Sequence, residues 1–223
     1  MIDQSKSGCY DKVRQWTHLY IRPHRNLGFA QAMNVGIRLA TTPYITLCND
    51  DVEFINKDWW QGILGTFEKI PNAMAVNPAA IADRNAEPRI PYKESYTEQE
   101  YQSLIEKDGG KVIDGICMWM TVVPRETFNK VGLLDERFYP GGGEDYDFNG
   151  RIFKAGGRAI GTYDSWVWHW WGKSKDRLEE ADKQGLGIDK SRNWNDLNAL
   201  WNGHFDIYGN GNDRVPEIGR LHI

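Results

Sequence analysis

Features typical of secreted and membrane proteins are scarce in this sequence. Its 223 residues include three cysteines, Cys9, Cys48 and Cys117. An odd number without CxxC spacing argues against a disulfide scaffold or a cysteine zinc site. No stretch approaches the roughly 18 apolar residues of a membrane helix, and the opening MIDQSKSG lacks the apolar core of a signal peptide. We therefore expect a cytoplasmic protein without a membrane span.

An excess of charge of one sign is also missing. The chain carries 27 Lys and Arg against 31 Asp and Glu, a net charge of −4, so there is no electrostatic reason to expect nucleic acid or an anionic membrane as a partner. Hydrophobic residues make up 40% of the chain, enough for a core, which excludes disorder of the whole chain. The length suits one compact domain with or without an appendage, and the composition leaves a homo-oligomer open.

Strand-like and helix-like segments alternate along the chain. Residues 44–48 form a short apolar run that ends abruptly in Asn49-Asp50-Asp51, which is typical of a buried strand. Further strands are predicted over 17–21, 73–77, 112–123, 158–163 and 166–169, helices over 26–40, 57–70, 97–107 and 144–155, and a surface loop over 79–96. The alternation predicts an α/β fold with a mixed, mostly parallel sheet covered by helices on both faces. An amphipathic helix with Trp194, Leu197, Leu200 and Trp201 follows in the tail.

The acidic residues after the strand at 44–48 are the first candidate site. In open α/β folds, ligands bind at the carboxyl ends of the strands, where Asn49-Asp50-Asp51 stands. Mg²⁺ and Mn²⁺ prefer oxygen donors and often bind through one or two carboxylates plus substrate phosphates. A plain turn is the alternative, because Asn and Asp are favoured in turns.

A glycine-rich segment before a predicted helix is the second candidate. Gly141-Gly142-Gly143 is followed by Glu144-Asp145-Tyr146-Asp147, and the acids exclude a phosphate-binding loop, because carboxylates repel phosphate. One interpretation is a flexible glycine segment that presents a carboxylate as a general base. The other is helix capping, since acids in a first turn complement the helix dipole.

His169 is the third candidate. It ends a predicted strand within a run that also holds Trp166, Trp168, Trp170 and Trp171, and the basic segment Gly172-Lys173-Ser174-Lys175 follows. With Asp51, this histidine could complete a mixed oxygen and nitrogen site for Mn²⁺. A packed core histidine is the alternative.

Jointly, three segments resemble the family 2 glycosyltransferases of the GT-A fold. They are NLGFAQAMNVGIRLATTPYITLCNDDVEF, GICMWMTVVPRETFNKVGLLDERFYPGGGEDYDFNGRIFKAGGRAIG and VWHWWGKS, in that order. The resemblance runs from about Ile2 to Ser174 and implies a GT-A domain over 1–175. Residues 176–223 are then a C-terminal helical tail that packs on the same domain or on a partner.

The resemblance also implies roles for individual residues. Asp51 and His169 match the metal-binding positions for Mn²⁺ or Mg²⁺, although Asn49 stands where the family's DxD motif has Asp. Asp145 matches the general base of the ED motif, in which Glu144 precedes it. The implied contacts to the donor nucleotide are Asp3, Asn26, Gly28, Asn34, Asp50, Lys173 and Ser174.

The implied activity is inverting, metal-dependent transfer of a sugar, as in hexosyltransferases. The donor is a nucleotide-diphosphate sugar, with UDP as the default base, and the acceptor is the hydroxyl of a saccharide or another molecule. One departure from the family stands out: the chain begins at what resembles the family's second strand, so we expect an N-terminally abbreviated sheet. The absent strand is replaced, supplied by another chain, or lost together with activity.

Two other functions stay open. One is a catalytically impaired nucleotide-sugar-binding or assembly module. The other is a nucleotidyltransferase on a similar sheet, which is disfavoured because the sequence lacks a glycine-rich, basic N-terminal loop.

Overall fold

A computed structural model describes residues 1–4, 13–55, 57–81, 97–169 and 190–201. The strands are β1 (Tyr44–Cys48), β2 (Val52–Phe54), β3 (Ala73–Ile81), β4 (Val112–Asp114), β5 (Met120–Pro124) and β6 (Arg158–His169). The helices are α1 (Gly28–Leu39), α2 (Trp59–Lys69), α3 (Glu98–Asp108), α4 (Arg125–Val131), α5 (Glu144–Lys154) and α6 (Lys190–Trp201), with a 3₁₀ turn at Arg14–Trp16. None of the helices in these ranges is long and apolar enough to cross a membrane.

The six strands form one sheet in the order β1-β5-β3-β6-β2, with β4 also paired to β6. Strand β6 organises this sheet because it is long enough to take β3 along one edge and two short strands along the other. Its first half pairs with β4 and its end pairs with β2. At the opposite side of the order lies β1, which pairs with β5.

The expectation of a mostly parallel sheet was wrong for the described strands, although the mixed α/β class is confirmed. Only β3 and β6 run parallel, and the other four pairings are antiparallel. Strand β5 lies antiparallel between β1 and β3, and no helix separates β1 from β2 along the chain. Parallel neighbouring strands need long crossover connections. The alternation of strands and helices in the sequence suggested more such connections than the structure contains among the described residues.

Helices cover both faces of the sheet, as predicted. On one face, Ile37 of α1 and Phe148 of α5 pack with Leu47 and Val123 of the sheet. On the other, Ile63 of α2 packs on the strand residues Val76, Val122 and Ile160. Val122 and Val123 are neighbours in β5 and point to opposite faces, so both layers are anchored on the same strand.

Several element boundaries differ from the prediction. The apolar run over 112–123 is two strands, because Gly115 adopts φ 101° and turns the chain between them. Residues 158–169 form one strand, with an irregular register against β3 where two strands were expected. The 17–21 segment makes only an isolated parallel bridge between Ile21 and Ile2. Residues 79–81 belong to β3, and the rest of the expected loop lies outside the described residues.

The predicted tail helix exists and packs on the same domain. Leu197 and Trp201 of α6 form a buried cluster with Phe138, and Trp194 and Tyr146 pack against it. The predicted capping box of α3 is confirmed as well, with Thr97 and Glu100 bonding each other's backbone amides. The division of the chain at residue 175 stays a prediction.

Candidate active site

The register between β2 and β6 brings Asp51 and His169 together. Val52 pairs with His169 in the antiparallel ladder, so the residue before Val52 reaches the end of β6. The Nε2 atom of His169 lies 3.3 Å from Oδ1 of Asp51. Hydrogen bonding from His169 lowers the pKa of the Asp51 carboxyl below its usual value. Two side chains that are 118 positions apart in the printed sequence are thus joined by strand pairing.

This pair fits a divalent cation. Oδ1 of Asp51 is buried and, in the described part of the chain, has no hydrogen-bond partner other than His169. His169 is 5% exposed, and its ring stacks on that of Trp119 at 5.3 Å between centroids, which fixes its orientation. One carboxylate and one imidazole suit Mn²⁺. The described residues contain no group of three or more metal-ligating side chains, so a cation held here would keep positions for water and substrate phosphate.

Asp145 stands at the start of α5, directly after the glycine segment. Gly143 precedes the helix with φ 107°, in the left-handed region that favours glycine. A Cβ on Gly143 would lie 2.9 Å from Cδ1 of Phe138, so a side chain there would also clash. Burial is the main cause that raises the pKa of Asp145 to about 6. A carboxyl group with such a pKa is suited to accept a proton near neutral pH.

Glu144 has a different environment from its neighbour. It is 7% exposed, and its carboxylate accepts a hydrogen bond from the backbone N–H of Gly142 at 2.5 Å. Glu144 therefore turns back and holds the glycine segment, while the Asp145 carboxylate accepts a bond from the N–H of Tyr146. The two acids of the motif have separate structural tasks.

A turn at residues 115–119 connects the Asp51–His169 pair to α5. Asn149 of α5 bonds both backbone groups of Ile116, at 3.3 and 2.9 Å. At the other end of the turn, the backbone carbonyl of Trp119 accepts a hydrogen bond from the N–H of Asn49 at 2.9 Å. The indole ring of Trp119 stacks on His169. The Asp51–His169 pair and helix α5, which carries Asp145, are therefore attached to one short turn.

The predicted nucleotide side is a compact turn that abuts the glycine segment. Oδ1 of Asn26 accepts from the N–H of Gly28 at 2.7 Å. Gly28 has φ 71°, and a Cβ there would lie 2.8 Å from the Pro140 carbonyl oxygen, so only glycine fits. Gln4 joins this turn to the N-terminal segment by accepting from the N–H of Leu27 at 2.6 Å.

Asp3 and Asp50 occupy contrasting positions. Asp3 is 1% exposed and accepts a hydrogen bond from the hydroxyl of Tyr20. Asp50 is exposed in the turn after β1. Lys173 and Ser174 lie outside the described residues.

The structure places Asn34 inside the protein, and its assignment to the donor nucleotide stays a prediction. Its side chain is 1% exposed, and its amide bonds the backbone N–H and C=O of Leu134 and a carboxylate oxygen of Glu136. With its hydrogen-bonding groups engaged inside the protein, Asn34 fastens α1 to the segment before the glycine loop.

Three residues near the site were not identified from the sequence. Trp119 orients His169, Gln4 bridges the Asn26–Gly28 turn, and Asn193 of α6 donates to the Gly141 carbonyl at 3.1 Å. The only available signal for Trp119 was its place in the apolar run GICMWM. Nothing in the local sequence marks Gln4 or Asn193, because their partners are distant along the chain.

A protein-family model matches the part of the chain that includes Asp51. The family model described as Glycosyl transferase family 2 matches residues 2–132, more than half of the chain. The chain belongs to glycosyl transferase family 2. The family expected from the sequence is thereby confirmed. A search of curated proteins finds no significant match to this chain.

Solved structures show the GT-A fold. GalNAc-T7, in a structure with UDP, GalNAc and Mn²⁺, has a TM-score of 0.56 at 18% identity over 75% of this chain and 36% of that one. The mannosyltransferase PcManGT from Pyrobaculum calidifontis, with GDP-Man and Mn²⁺, has a TM-score of 0.53 at 15% identity over 90% and 64%. Residues 1–349 of TarS from S. aureus have a TM-score of 0.52 at 11% identity over 94% and 63%. The chain thus spans about a third to two thirds of the length of these relatives.

Proposed function

We propose that this protein is an inverting, metal-dependent glycosyltransferase. It transfers a sugar from a nucleotide-diphosphate sugar, with UDP as the favoured base, to an acceptor hydroxyl. The observation that carries the proposal is Asp145, a half-buried carboxyl group with its pKa raised to about 6, on a helix linked through one turn to the Asp51–His169 pair. Solved structures of similar fold contain UDP, GDP-Man and Mn²⁺, which supports this donor class.

In this proposal Asp145 removes the proton of the attacking hydroxyl. A hydroxyl is a poor nucleophile, and a carboxylate within hydrogen-bond reach accepts its proton as the bond to the anomeric carbon forms. A single base with attack opposite to the leaving group inverts that carbon. Glu144 contributes indirectly, because it holds the glycine segment that precedes the base.

Departure of the nucleoside diphosphate requires stabilisation of negative charge. Asp51 and His169 would hold Mn²⁺ or Mg²⁺, which when bound supplies Lewis-acid stabilisation of the diphosphate. The Asn26–Gly28 turn, with Asp3 and Asp50, would contact the nucleotide, and Lys173 and Ser174 would assist near the diphosphate. Hexosyl transfer, cytoplasmic localisation and a homo-oligomer remain predictions from the sequence.

Two assays test the proposal. Thermal shifts with UDP-, GDP- and dTDP-sugars, with and without Mn²⁺, identify the donor, because a ligand that binds only the native state raises the melting temperature. Release of nucleoside diphosphate is then measured with the best donor. Metal-dependent release supports a transferase, whereas binding without any turnover would support the alternative of a binding or assembly module. Release of pyrophosphate would indicate a nucleotidyltransferase.

A further inference from the structure

Helix α6 contacts the base-bearing segment at three points that flank Asp145. Nδ2 of Asn193 donates to the carbonyl of Gly141 at 3.1 Å. The ring of Trp194 meets that of Tyr146 edge-on, with 5.3 Å between centroids. Nε1 of Trp201 donates to Oδ1 of Asp147 at 3.1 Å. The tail helix therefore touches the chain before and after the base.

The glycine segment needs support from outside. Gly142 and Gly143 have φ 105° and 107°, a conformation that glycine tolerates, and the segment has no side chains to fix its own position. Within the motif, the carboxylate of Glu144 holds the N–H of Gly142. Asn193 holds the carbonyl of Gly141 from a helix that begins 46 positions after Glu144 in the printed sequence.

The environment of Asn193 does not give this side chain the greatest stability available. The side chain is 1% exposed, and its Oδ1 atom is buried without a hydrogen bond among the described residues. A buried acceptor without a partner costs stability, and an apolar side chain of similar size would avoid that cost. Departures from full hydrogen bonding in a buried position are expected where a side chain serves a functional site.

We propose that Asn193 is a positioning residue for the catalytic base, which it serves by fixing Gly141 and so the start of α5. The inference rests on the proposed function, since it assigns Asn193 to the base of that reaction. Asn193 itself touches no reacting atom. Its contact sets where the half-buried Asp145 carboxylate lies and limits the access of water to it.

The partial burial of Asp145 gives this role a measurable signature. The titratable groups around Asp145 are Tyr146, Cys117, Glu144 and Asp147. Burial raises the pKa of Tyr146, and Cys117 lies close to that tyrosine. Asp147 forms an ion pair with Arg151 at 2.7 Å. The main cause of the raised pKa of Asp145 is burial. A glycine segment released from α6 would admit water to the carboxylate, and its pKa would fall toward the ordinary value.

The test compares Asn193→Ala with Asn195→Ala, an exposed asparagine on the same helix. Release of nucleoside diphosphate is measured with saturating Mn²⁺ across the pH range, separating kcat from KM. For Asn193→Ala we expect kcat to fall by about 10- to 100-fold, the scale of a small misplacement of a catalytic group, with donor KM unchanged. The acidic limb of its kcat profile should move to lower pH. Asn195→Ala should match the wild type, and an Asn193→Ala enzyme with wild-type kcat and acidic limb would overturn the proposal.

Leu197→Ala separates positioning from general packing of the helix. Leu197 is fully buried in the cluster that α6 forms with Phe138, and its apolar side chain makes no polar contact with the glycine segment. We expect it to lower the melting temperature more than Asn193→Ala while kcat stays closer to that of the wild type. If Leu197→Ala loses as much kcat as Asn193→Ala, the packing of α6 is responsible and the assignment to Asn193 is wrong.

A spectroscopic test is independent of turnover. The carboxyl ¹³C resonance of Asp145, assigned by its loss in Asp145→Asn, is titrated in the wild type and both asparagine variants. The proposal predicts a midpoint near 6 in the wild type and Asn195→Ala and a lower midpoint in Asn193→Ala. Identical titrations would overturn it. Absence of turnover with every sugar nucleotide would contradict the proposed function and leave this structural result standing.

Discussion

The two halves of the candidate site are held in place by different kinds of structure. Asp51 and His169 meet because Val52 pairs with His169 in a backbone ladder, and Trp119 stacks behind the histidine. Asp145 follows three glycines and depends on side-chain contacts from Glu144 and from α6. Backbone pairing confers rigidity through many cooperative bonds, whereas a glycine segment depends on a few. The metal side should therefore tolerate distant changes that the base side does not.

The largest expected effect is on the base itself. Asp145→Asn should lower kcat by about 10²- to 10⁴-fold, because the amide cannot accept the proton. The Mn²⁺-dependent rise in melting temperature on donor binding should persist. Turnover and thermal shift measured on the same preparation check this. A variant that remains fully active would show that Asp145 is not the base.

The same substitution has a predicted effect on stability. The pKa of Asp145 is about 6 when folded, above its ordinary value, so folding disfavours the charged form and the penalty is complete above pH 6. Asp145→Asn should therefore raise the free energy of unfolding at pH 7 by about 3 kcal/mol. As the pH falls from 7 towards 4 the difference should vanish, and denaturant unfolding at both pH values measures it.

Removal of His169, the proposed metal ligand, should affect the half of the candidate site that contains Asp51. His169→Ala should abolish the Mn²⁺-dependent part of the donor thermal shift and lower turnover by about 100-fold or more, through loss of a ligand that supports charge on the leaving diphosphate. The pKa of Asp145, read by the ¹³C titration, should stay near 6 because the base is held separately. A large change in that titration would show that the two halves are coupled.

A glycine substitution should act mainly on the base side. In Gly143→Ala the new Cβ meets Phe138 at 2.9 Å, and φ 107° strains any other residue. We expect a loss of about 1–3 kcal/mol of stability and a reduced kcat with Mn²⁺ affinity unchanged. Gly65→Ala is the matched control, since its Cβ would meet no neighbouring atom within 4 Å. Equal effects of the two variants would contradict the strain argument.

The smallest expected effect on activity comes from Asn34. Asn34→Ala removes the bonds to Leu134 and Glu136 and should cost about 1–3 kcal/mol of stability. Donor KM should be unchanged at a temperature where the variant is folded. A rise in KM without loss of stability would support the predicted nucleotide contact instead.

Local signals in the sequence predicted most of the elements. Residues 44–48 form the strand expected from their apolar run, and the Thr97 and Glu100 capping box begins α3 as predicted. Pairing direction was not predictable, because it depends on which strands meet and not on their composition. The break at Gly115 was also hidden, since a single glycine within an apolar run is compatible with a strand.

The site was predictable where a motif is contiguous and hidden where contacts are distant. Asp51, Asp145 and His169 stand in recognisable segments, and their resemblance to a family suggested roles for each. The engagement of Asn34 by a loop 100 positions away in the sequence, and the contact of Asn193 with Gly141, arise only from folding. Residue type alone could not separate these structural amides from ligand-binding ones.

The pH dependence of kcat tests the central claim most directly. With saturating Mn²⁺ and donor, kcat for release of nucleoside diphosphate should fall as the pH drops through about 6, because protonated Asp145 cannot act as a base. The melting temperature, followed over the same range, establishes that the enzyme stays folded. A kcat that is constant from pH 8 to pH 5, or a limb at the ordinary pKa of an aspartate, would contradict the account.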